Sequence, residues 1–311
     1  MKKIPIIIDV DTGIDDAVAL LLALQAEKLD IKGITTVAGN QTIEKTTRNT
    51  LDVVEYFGRA DIPVARGYSK PIVREQIIAA YAHGESGLGS AVLPKANKQA
   101  EKLDAVSFMR KTLEESNEKI TLVPTGPLTN IAVLLLCYPH LKEKIEKIVL
   151  MGGGAYTGNS NAVAEFNILA DPEAANVVFG SGVKLVMCGL DVTLKAIVTP
   201  DDIDRLKALN TKAGDFAAEA FRFYLDMYLK NTKVTGCAVH DAVAIVYLTN
   251  PELIKTKTGI ASVDIEGKYT YAGTIVDFTP WRDRSKDNVL VGVDIDRDAF
   301  VQLIIDACKN Y

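Results

Sequence analysis

Residues 6–20 read IIIDVDTGIDDAVAL, and this stretch indicates the fold class more clearly than any other part of the chain. An apolar run rich in isoleucine passes into Asp9 and Asp11, and Asp15 and Asp16 follow within a few residues. The segment from Ala17 onward, AVALLLALQA, has the composition of a buried helix. A short β-branched run followed by a helical segment predicts a strand, a loop and a helix in an α/β protein. Four carboxylates are therefore expected where a buried strand becomes a buried helix.

The bulk composition predicts one domain over residues 1–311, with no membrane and no nucleic acid as partner. The chain is 48% hydrophobic, enough for a large core, and no Pro/Ser-rich linker or repeat divides it. Its net charge of -5 gives no reason to expect nucleic acid or an anionic membrane. No apolar run reaches the roughly 18 residues of a membrane span. The four cysteines lie far apart, as is typical of reduced thiols in a cytoplasmic protein.

Strand-like and helix-like patterns alternate along most of the chain. The predicted strands are residues 4–10, 31–37, 120–123, 148–151 and 183–187, and the predicted helices are residues 16–26, 42–57, 105–115, 128–136 and 172–179. Helices at 201–208, 215–230 and 241–248, strand-like segments at 269–278 and 288–295, and a closing helix at 297–308 follow. Continuous apolar strands separated by helices predict an α/β fold with a mostly parallel central sheet flanked by helices, with additional C-terminal helices and strands.

Polar and glycine-rich segments follow the predicted strands. They are DVDTGIDD, AGN ending in Asn40, PTGPLTN and MGGGAYTGN. Ligands of such sheets bind outside the carboxyl ends of the strands, so we expect a site there. The glycines do not have the G-x-G-x-x-G spacing of a dinucleotide loop, and no P-loop pattern occurs in the chain.

The four aspartates of the first loop have several possible explanations. Two ionised carboxylates about 4 Å apart repel by roughly 4 kcal/mol at an effective dielectric constant near 20. Asp15 or Asp16 could cap the following helix, but this leaves Asp9 and Asp11 unexplained. A bound cation explains more, and the absence of nearby His or Cys favours a hard ion such as Ca²⁺ or Mg²⁺. The EF-hand spacing is absent, and a Mg²⁺-dependent phosphatase of the D-x-D type remains an alternative, although Thr12 lies one position too early for it.

The chain has three histidines, and two of them lie in candidate site segments. His140 lies beside a proline and a charged run, which predicts a surface position. His83 lies in the glycine-rich segment YAHGESGLG, which indicates a loop, and His240 directly precedes Asp241 at the start of an apolar helix, where Asp241 could be only an N-cap.

Glu165 and Asn167 flank Phe166 in an otherwise apolar run. Hydroxyl groups of a sugar need acceptors and donors, and its ring face needs apolar cover. The segment therefore suits a sugar, although a polar loop folded over the sheet explains it equally well.

Together these segments resemble the nucleoside hydrolase family, the inosine-uridine preferring nucleoside N-ribohydrolases. The first loop is similar to the signature D-x-D-x-G-x-D-D-A residue for residue. The similarity continues in order through AGN, HGESGLG, PTGPLTNIA, LMGGG, GN followed by AEFN, DPEAA, LDVT and HDA, and so covers nearly the whole chain. Two departures are Thr12, where the family often has proline, and HDA in place of the commoner HDP.

The resemblance implies a Rossmann-like single domain and a Ca²⁺ at the base of the pocket. The implied protein ligands are Asp11, Asp16, the backbone carbonyl of Thr125, and Asp241. The implied substrate-binding residues are Asp15 on a ribose hydroxyl, Asn40, Asn159, Glu165, Phe166 and Asn167 around the rest of the sugar, Met151 beneath it, and His83, Tyr228 and His240 near the base. Asp9 has no implied contact with the ligand, and we expect it to support the loop from behind.

The resemblance also implies the reaction, hydrolysis of the N-glycosidic bond of ribonucleosides to ribose and a free purine or pyrimidine base. A water held by the ion would lose its proton to Asp11, and His240 would protonate the departing base. The implied partner is therefore a small-molecule ribonucleoside, and the implied assembly is a homo-oligomer, either a dimer or a tetramer. The presence of both His83 and His240 favours use of both purine and pyrimidine nucleosides.

Overall fold

The computed structural model describes residues 2–231 and 235–311. In chain order its strands are β1 Ile4–Val10, β2 Leu29–Thr36, β3 Val64–Arg66, β4 Ile120–Pro124, β5 Ile145–Met151, β6 Leu185–Cys188, β7 Ile197–Val198, β8 Cys237–Ala238, β9 Ile254–Val263, β10 Thr274–Asp277 and β11 Val289–Ile295.

The helices alternate with these strands through the first two thirds of the chain. They are α1 Ile14–Gln25, α2 Ile43–Tyr56, α3 Ala80–His83, α4 Ala105–Glu115, α5 Thr129–Cys137, α6 Phe166–Ala170, α7 Pro172–Phe179, α8 Leu190–Thr193, α9 Pro200–Lys207, α10 Lys212–Asn231, α11 Ala242–Thr249 and α12 Arg297–Lys309. Short 3₁₀ turns occupy Pro139–Lys144, Pro251–Leu253 and Arg284–Lys286. Within the described ranges, none of these helices is both long enough and apolar enough to cross a bilayer.

A nine-stranded sheet runs through the molecule in the order β10-β9-β11-β6-β5-β4-β1-β2-β3. All neighbours from β11 to β3 pair in parallel, and only β9 and β10 at one edge pair antiparallel. The predicted single-domain α/β fold with a mostly parallel central sheet is confirmed. A separate antiparallel pair, β7 and β8, lies outside this sheet.

The isoleucine run of β1 is continuous because both faces of the strand are covered. Ile6 and Ile8 pack into one hydrophobic cluster with residues of α1, α10, α11 and α12. Ile7 points to the opposite face and packs into a second cluster with residues of α4, α5 and α7. Successive side chains of a strand point to opposite faces, so a strand buried on both sides needs no polar alternation.

The helix α1 begins two residues earlier than the sequence pattern predicts. Gly13 is its N-cap, with extended backbone, and the Gly13 N–H donates to Asp16 Oδ2 over 2.9 Å. This bond places Asp15 and Asp16 in the first helical turn, where negative charge is favourable. Asp16 therefore caps the helix α1, which was one of the explanations considered for the acidic loop.

Candidate active site

The predicted site residues converge on a cavity of about 440 Å³ at the carboxyl ends of the parallel strands. Its walls include these residues expected from the sequence: Asp15, Asn40, His83, Thr125, Met151, Asn159, Glu165, Phe166, Asn167, Tyr228, His240 and Asp241. Asp11 and Asp16 are fully buried beside the floor. The topology therefore brings together residues from both ends of the chain, as the rule for ligand sites in α/β sheets predicts.

Three carboxylates form the centre of the floor. Asp15, Asp16 and Asp241 each offer one oxygen, and these oxygens lie within 4.8 Å of one another. Asp15 and Asp16 lie in the first turn of α1, and Asp241 is the N-cap of α11. The packing of α1 against α11 is what joins the two segments.

Asp16 is the most completely hydrogen-bonded member of this group. Its Oδ2 accepts from the Gly13 N–H and from Asn40 Nδ2 at 3.0 Å, and its Oδ1 accepts from Thr125 Oγ1 at 2.8 Å. These bonds fix the carboxylate between the first loop, the segment after β2 and the segment after β4.

Asp11 uses its two oxygens unequally. Oδ2 accepts from the Asn40 N–H at 2.7 Å, whereas the buried Oδ1 has no hydrogen-bond partner among the described residues. A Cβ at Gly126 would lie 2.7 Å from this Oδ1, so only glycine leaves the space that the carboxylate occupies. An unpartnered buried oxygen is costly unless a ligand or ion contacts it.

Burial and mutual repulsion raise the pKa values of the whole acidic group. Burial, and then the charge of Asp16, raise the pKa of Asp15 to about 7. The same two causes, in the same order, raise the pKa of Asp11 well above its usual range. The pKa of Asp241 is likewise raised well above normal, mainly by burial and then by Asp15. A bound cation would reverse this repulsion and favour the ionised carboxylates.

The residues of the floor fit a hard divalent cation. All available donors are oxygens, and Asp11 Oδ1 and Asp15 Oδ1 have no partner within the described part of the chain. The Thr125 carbonyl accepts from Asn167 Nδ2 at 2.7 Å, and its second lone pair is free for an ion. Oxygen-only sets of this kind suit Ca²⁺ or Mg²⁺.

Asp9 faces away from the cavity, as expected of a supporting residue. Its Oδ1 accepts from Thr35 Oγ1 at 2.5 Å and from Asn130 Nδ2 at 2.8 Å. Asn130 Nδ2 also donates to the Thr36 carbonyl, and its Oδ1 accepts from the Tyr68 N–H. Asp9 and Asn130 therefore tie β1, β2 and α5 together behind the acidic loop.

His83 is buried at the end of α3. The sequence had predicted a loop at this position. Its Nδ1 accepts from the Ile14 N–H at 3.1 Å, which places the proton of the neutral ring on Nε2. Burial, and then the charge of His240, lower the pKa of His83 to about 3. A Cβ at Gly13 would lie 2.5 Å from this Nδ1, so glycine is needed where the loop passes the ring. His140, in contrast, is exposed on the surface as predicted.

His240 has a hydrogen-bond partner on each ring nitrogen. Nδ1 lies 2.8 Å from Thr193 Oγ1, and Nε2 lies 3.0 Å from the hydroxyl of Tyr228. Burial lowers the pKa of His240 to about 4, so the resting ring is neutral. Tyr228 therefore lies beside His240 on the cavity wall.

The opposite wall is built on the N-terminus of α6. Glu165 is its N-cap and accepts from the backbone N–H groups of Asn167 and Gly153. Burial raises the pKa of Glu165 to about 7 despite these bonds. Asn159 Oδ1 accepts from the Phe166 N–H at 3.0 Å, and Asn167 Nδ2 also contacts Met151. The sequence segment AEFN thus contributes to the cavity and is more than a cover over the sheet.

Sequence reasoning missed several residues of the cavity wall. Tyr224 lies one helical turn before Tyr228, and their rings meet edge to face with centroids 5.2 Å apart. The spacing of four residues on one helix is a signal that could have identified Tyr224. Tyr81 and Leu194 also line the cavity, and Thr193 contacts His240 from behind the wall. Thr193 and Tyr81 lie in the segments LDVT and YAHGESGLG, but no role was predicted for either residue, and no sequence pattern marked Leu194.

Comparison with known proteins identifies the family of this chain. The family model for the inosine-uridine preferring nucleoside hydrolase matches residues 6–302. The chain is 46% identical over 310 residues to the pyrimidine-specific ribonucleoside hydrolase RihA of Shigella boydii serotype 4, covering 99% of each chain. The purine-preferring ribonucleoside hydrolase of Gardnerella vaginalis superimposes with a TM-score of 0.92 at 35% identity, over 99% of this chain and 100% of that one. The plant nucleoside hydrolase PpNRh1 superimposes with a TM-score of 0.93 at 30% identity, over 99% of each chain.

The chain belongs to the inosine-uridine preferring nucleoside hydrolase family. It is an enzyme, a nucleoside N-ribohydrolase, and the predicted family and enzyme class are confirmed. None of these relatives supports the alternative of a D-x-D phosphatase.

Proposed function

We propose that this enzyme is a Ca²⁺-dependent hydrolase of ribonucleosides that releases ribose and a free purine or pyrimidine base. The observation that carries the proposal is the buried group formed by Asp15, Asp16 and Asp241 at the floor of the cavity. An acidic floor suits a cation and a diol, and the amide and aromatic walls suit a sugar and a base.

The ion would be held by Asp11, Asp16, Asp241 and the Thr125 carbonyl. Ca²⁺ is favoured over Mg²⁺ because the donors are all protein oxygens, whereas Mg²⁺ usually keeps several waters. When bound, Ca²⁺ would supply the positive charge that attracts the two vicinal hydroxyls of ribose and favours ionisation of a nearby water.

Asp11 is the proposed general base. Oδ2 is held by the Asn40 N–H, so the unpartnered Oδ1 is the oxygen that would accept a proton from the attacking water. The water oxygen then bonds to C1′ of ribose as the bond from C1′ to the base nitrogen breaks. Because no described residue donates a hydrogen bond to Oδ1, this oxygen is a better proton acceptor than the hydrated oxygen of an exposed aspartate.

The sugar would be held by the carboxylate and amide groups of the wall. Asp15 Oδ1 is free to accept a ribose hydroxyl, and Asn40, Asn159 and Glu165 surround the remaining oxygens. N-glycosidic cleavage passes through a state with positive charge on the sugar, as O-glycosidic cleavage does. The acidic floor would stabilise that charge.

His240 is the proposed acid that protonates the departing base. The resting ring is neutral, so it would first take up a proton from solvent. Once charged, a ring whose pKa is about 4 gives its Nε2 proton readily to the departing base nitrogen. His83, with its Nε2–H, and Tyr228 would contact the base, and Phe166 would cover the sugar.

Two relatives support use of both classes of base. RihA is named pyrimidine-specific and is 46% identical to this chain, and the Gardnerella enzyme is named purine-preferring and is 35% identical. We therefore include both pyrimidine and purine ribonucleosides in the proposal. We also propose a single catalytic domain, a cytoplasmic location and a homo-oligomer of two or four copies.

A substrate panel tests the proposed reaction. Uridine, cytidine, inosine and adenosine, each paired with its 5′-monophosphate, should be assayed for free ribose and for inorganic phosphate. We expect ribose from the nucleosides and no phosphate from the nucleotides, because a floor of buried carboxylates repels a phosphate group. Release of phosphate without ribose would contradict the proposal and support a phosphatase.

A further inference from the structure

The helix α8 has no role in the proposed function, although it contacts the proposed acid directly. Its last residue, Thr193, is fully buried, and the Thr193 hydroxyl lies 2.8 Å from His240 Nδ1. No other group described in the structure bonds to that nitrogen. The other ring nitrogen faces Tyr228 on the cavity wall.

The structure holds Thr193 firmly in place. The Leu190 N–H donates to the Gly153 carbonyl at 2.8 Å, and the Asp191 carboxylate accepts from the N–H groups of Ala155 and Tyr156. These bonds fix α8 to the glycine-rich segment after β5, which also carries the contact to Glu165.

The segment that carries His240 is fixed to the end of α8 as well. The strands β7 and β8 pair antiparallel, with Ile197 opposite Ala238. The Val239 N–H then donates to the Ala196 carbonyl at 2.9 Å. This two-stranded ribbon lies outside the main sheet, and its geometric effect is to align His240 with Thr193.

We propose that Thr193 is a positioning residue that holds the His240 ring through Nδ1 and so presents Nε2 to the nucleobase, which would replace the Tyr228 hydroxyl as the partner of Nε2. The charged ring carries a proton on both nitrogens, and Nδ1 keeps its proton when Nε2 gives its own to the base. The Thr193 oxygen therefore accepts from Nδ1–H before and after the transfer and holds the ring orientation in both states. A valine has nearly the same shape but cannot accept this bond. The inference rests on the proposed acid role of His240.

Thr193→Val tests this inference through a ratio of two substrates. The turnover of a ribonucleoside, whose base needs a proton, is divided by the turnover of p-nitrophenyl riboside, whose leaving group needs none. Both rates come from one preparation, so the ratio does not depend on the folded fraction. We expect the ratio to fall about tenfold or more in Thr193→Val, with KM changed less than about threefold, because acid catalysis contributes about 10²-fold or more.

Four further variants make the test decisive. Thr193→Ser keeps the hydroxyl and should keep the ratio within about threefold of the wild type. Thr112→Val removes a helix hydroxyl that bonds to the Phe108 carbonyl in α4, away from the cavity, and should leave the ratio unchanged. Thr193→Ala replaces the valine variant in the same assay if the valine variant does not fold. His240→Ala removes the proposed acid itself and should lower the ratio at least as far as Thr193→Val.

Each contrary outcome has a separate meaning. A normal ratio in Thr193→Val, with a lowered ratio in His240→Ala, would overturn the inference and leave the proposed function intact. An equal fall in Thr193→Val and Thr193→Ser would also overturn it, because packing and not the hydroxyl would then matter. A normal ratio in His240→Ala would remove the acid role itself, and the inference with it.

Discussion

Asp11 is the residue on which the proposed chemistry depends most. One of its oxygens is fixed by a backbone N–H, and the other is buried without a partner in the described ranges of the chain. A carboxylate in this state is oriented by the protein and still able to accept a proton. Asp16 differs because both of its oxygens are hydrogen-bonded. The two aspartates thus have distinct environments, and the resemblance likewise implied different roles for them, Asp11 as ligand and base and Asp16 as ligand alone.

Replacing Asp11 by alanine should therefore abolish turnover without unfolding the chain. We expect kcat on ribonucleosides to fall by about 10³-fold or more, since a general base alone contributes about 10²- to 10⁴-fold. Asp201→Ala, at an exposed aspartate of α9, is the control and should retain full activity. Circular dichroism confirms folding of both proteins. Near-normal turnover in Asp11→Ala would remove this residue from the role of base.

Single residues also show what the sequence could not predict. Thr193 and His240 are far apart in the chain, and only the β7–β8 ribbon brings them within hydrogen-bond distance. A ribbon of two residues per strand leaves no periodic signal. In contrast, the sequence identified Asp241 through its resemblance to a family pattern, and the packing of α1 on α11 placed it beside Asp15.

At the level of elements, the buried parallel strands were the easiest to predict. The strand β1 was predicted with exact bounds, because an apolar run buried on both faces contrasts with the polar loops around it. The helices α4 and α7 also have their predicted bounds, since each begins after an aspartate that caps it. Hydrophobic pattern and capping chemistry therefore agreed at these elements.

The strand β9, which lies next to the edge strand β10, was missed for an equally physical reason. It spans ten residues, but only Ile254 among its first five is buried. Its lysines and threonines face solvent, so the segment KTKTG has neither an apolar run nor a clean alternation. The pairing of β9 with β11, and not its own composition, makes it a strand. Residues 254–259 pair with β11, whereas β10 pairs only with residues 260–263, so the lysine-bearing part of β9 is exposed on one side as an edge strand is.

For the molecule as a whole, the proposed calcium site would link metal binding to stability through the buried acidic group. Burial, and then the charge of Asp16, raise the pKa of Asp15 to about 7 from its ordinary value of 3.8. The unfolded chain therefore releases this proton at lower pH than the folded chain. The contribution of this group to stability is fully present below about pH 4 and is lost as the pH rises through about 7. A bound cation would offset this loss.

We accordingly expect calcium to raise the melting temperature more at pH 8 than at pH 5. A ligand at one hundred times its Kd adds about 2.7 kcal/mol, which corresponds to about 5 °C for a chain of this size. The measurement is thermal unfolding of chelator-treated protein, with and without calcium, at both pH values and constant ionic strength. If calcium raised the melting temperature equally at pH 5 and pH 8, the proposed link between metal binding and the protonation of these carboxylates would be contradicted.

The most direct test of the central claim is the rate of ribose release before and after removal of the metal. Chelator-treated and desalted enzyme should hydrolyse its best ribonucleoside at less than about one hundredth of the original rate, since the ion is proposed to favour ionisation of the attacking water. Calcium added back in excess should restore the rate, and one ion per chain should suffice. Full activity after complete removal of metal would contradict the account, as would restoration by calcium in a protein that lacks Asp11, Asp16 and Asp241.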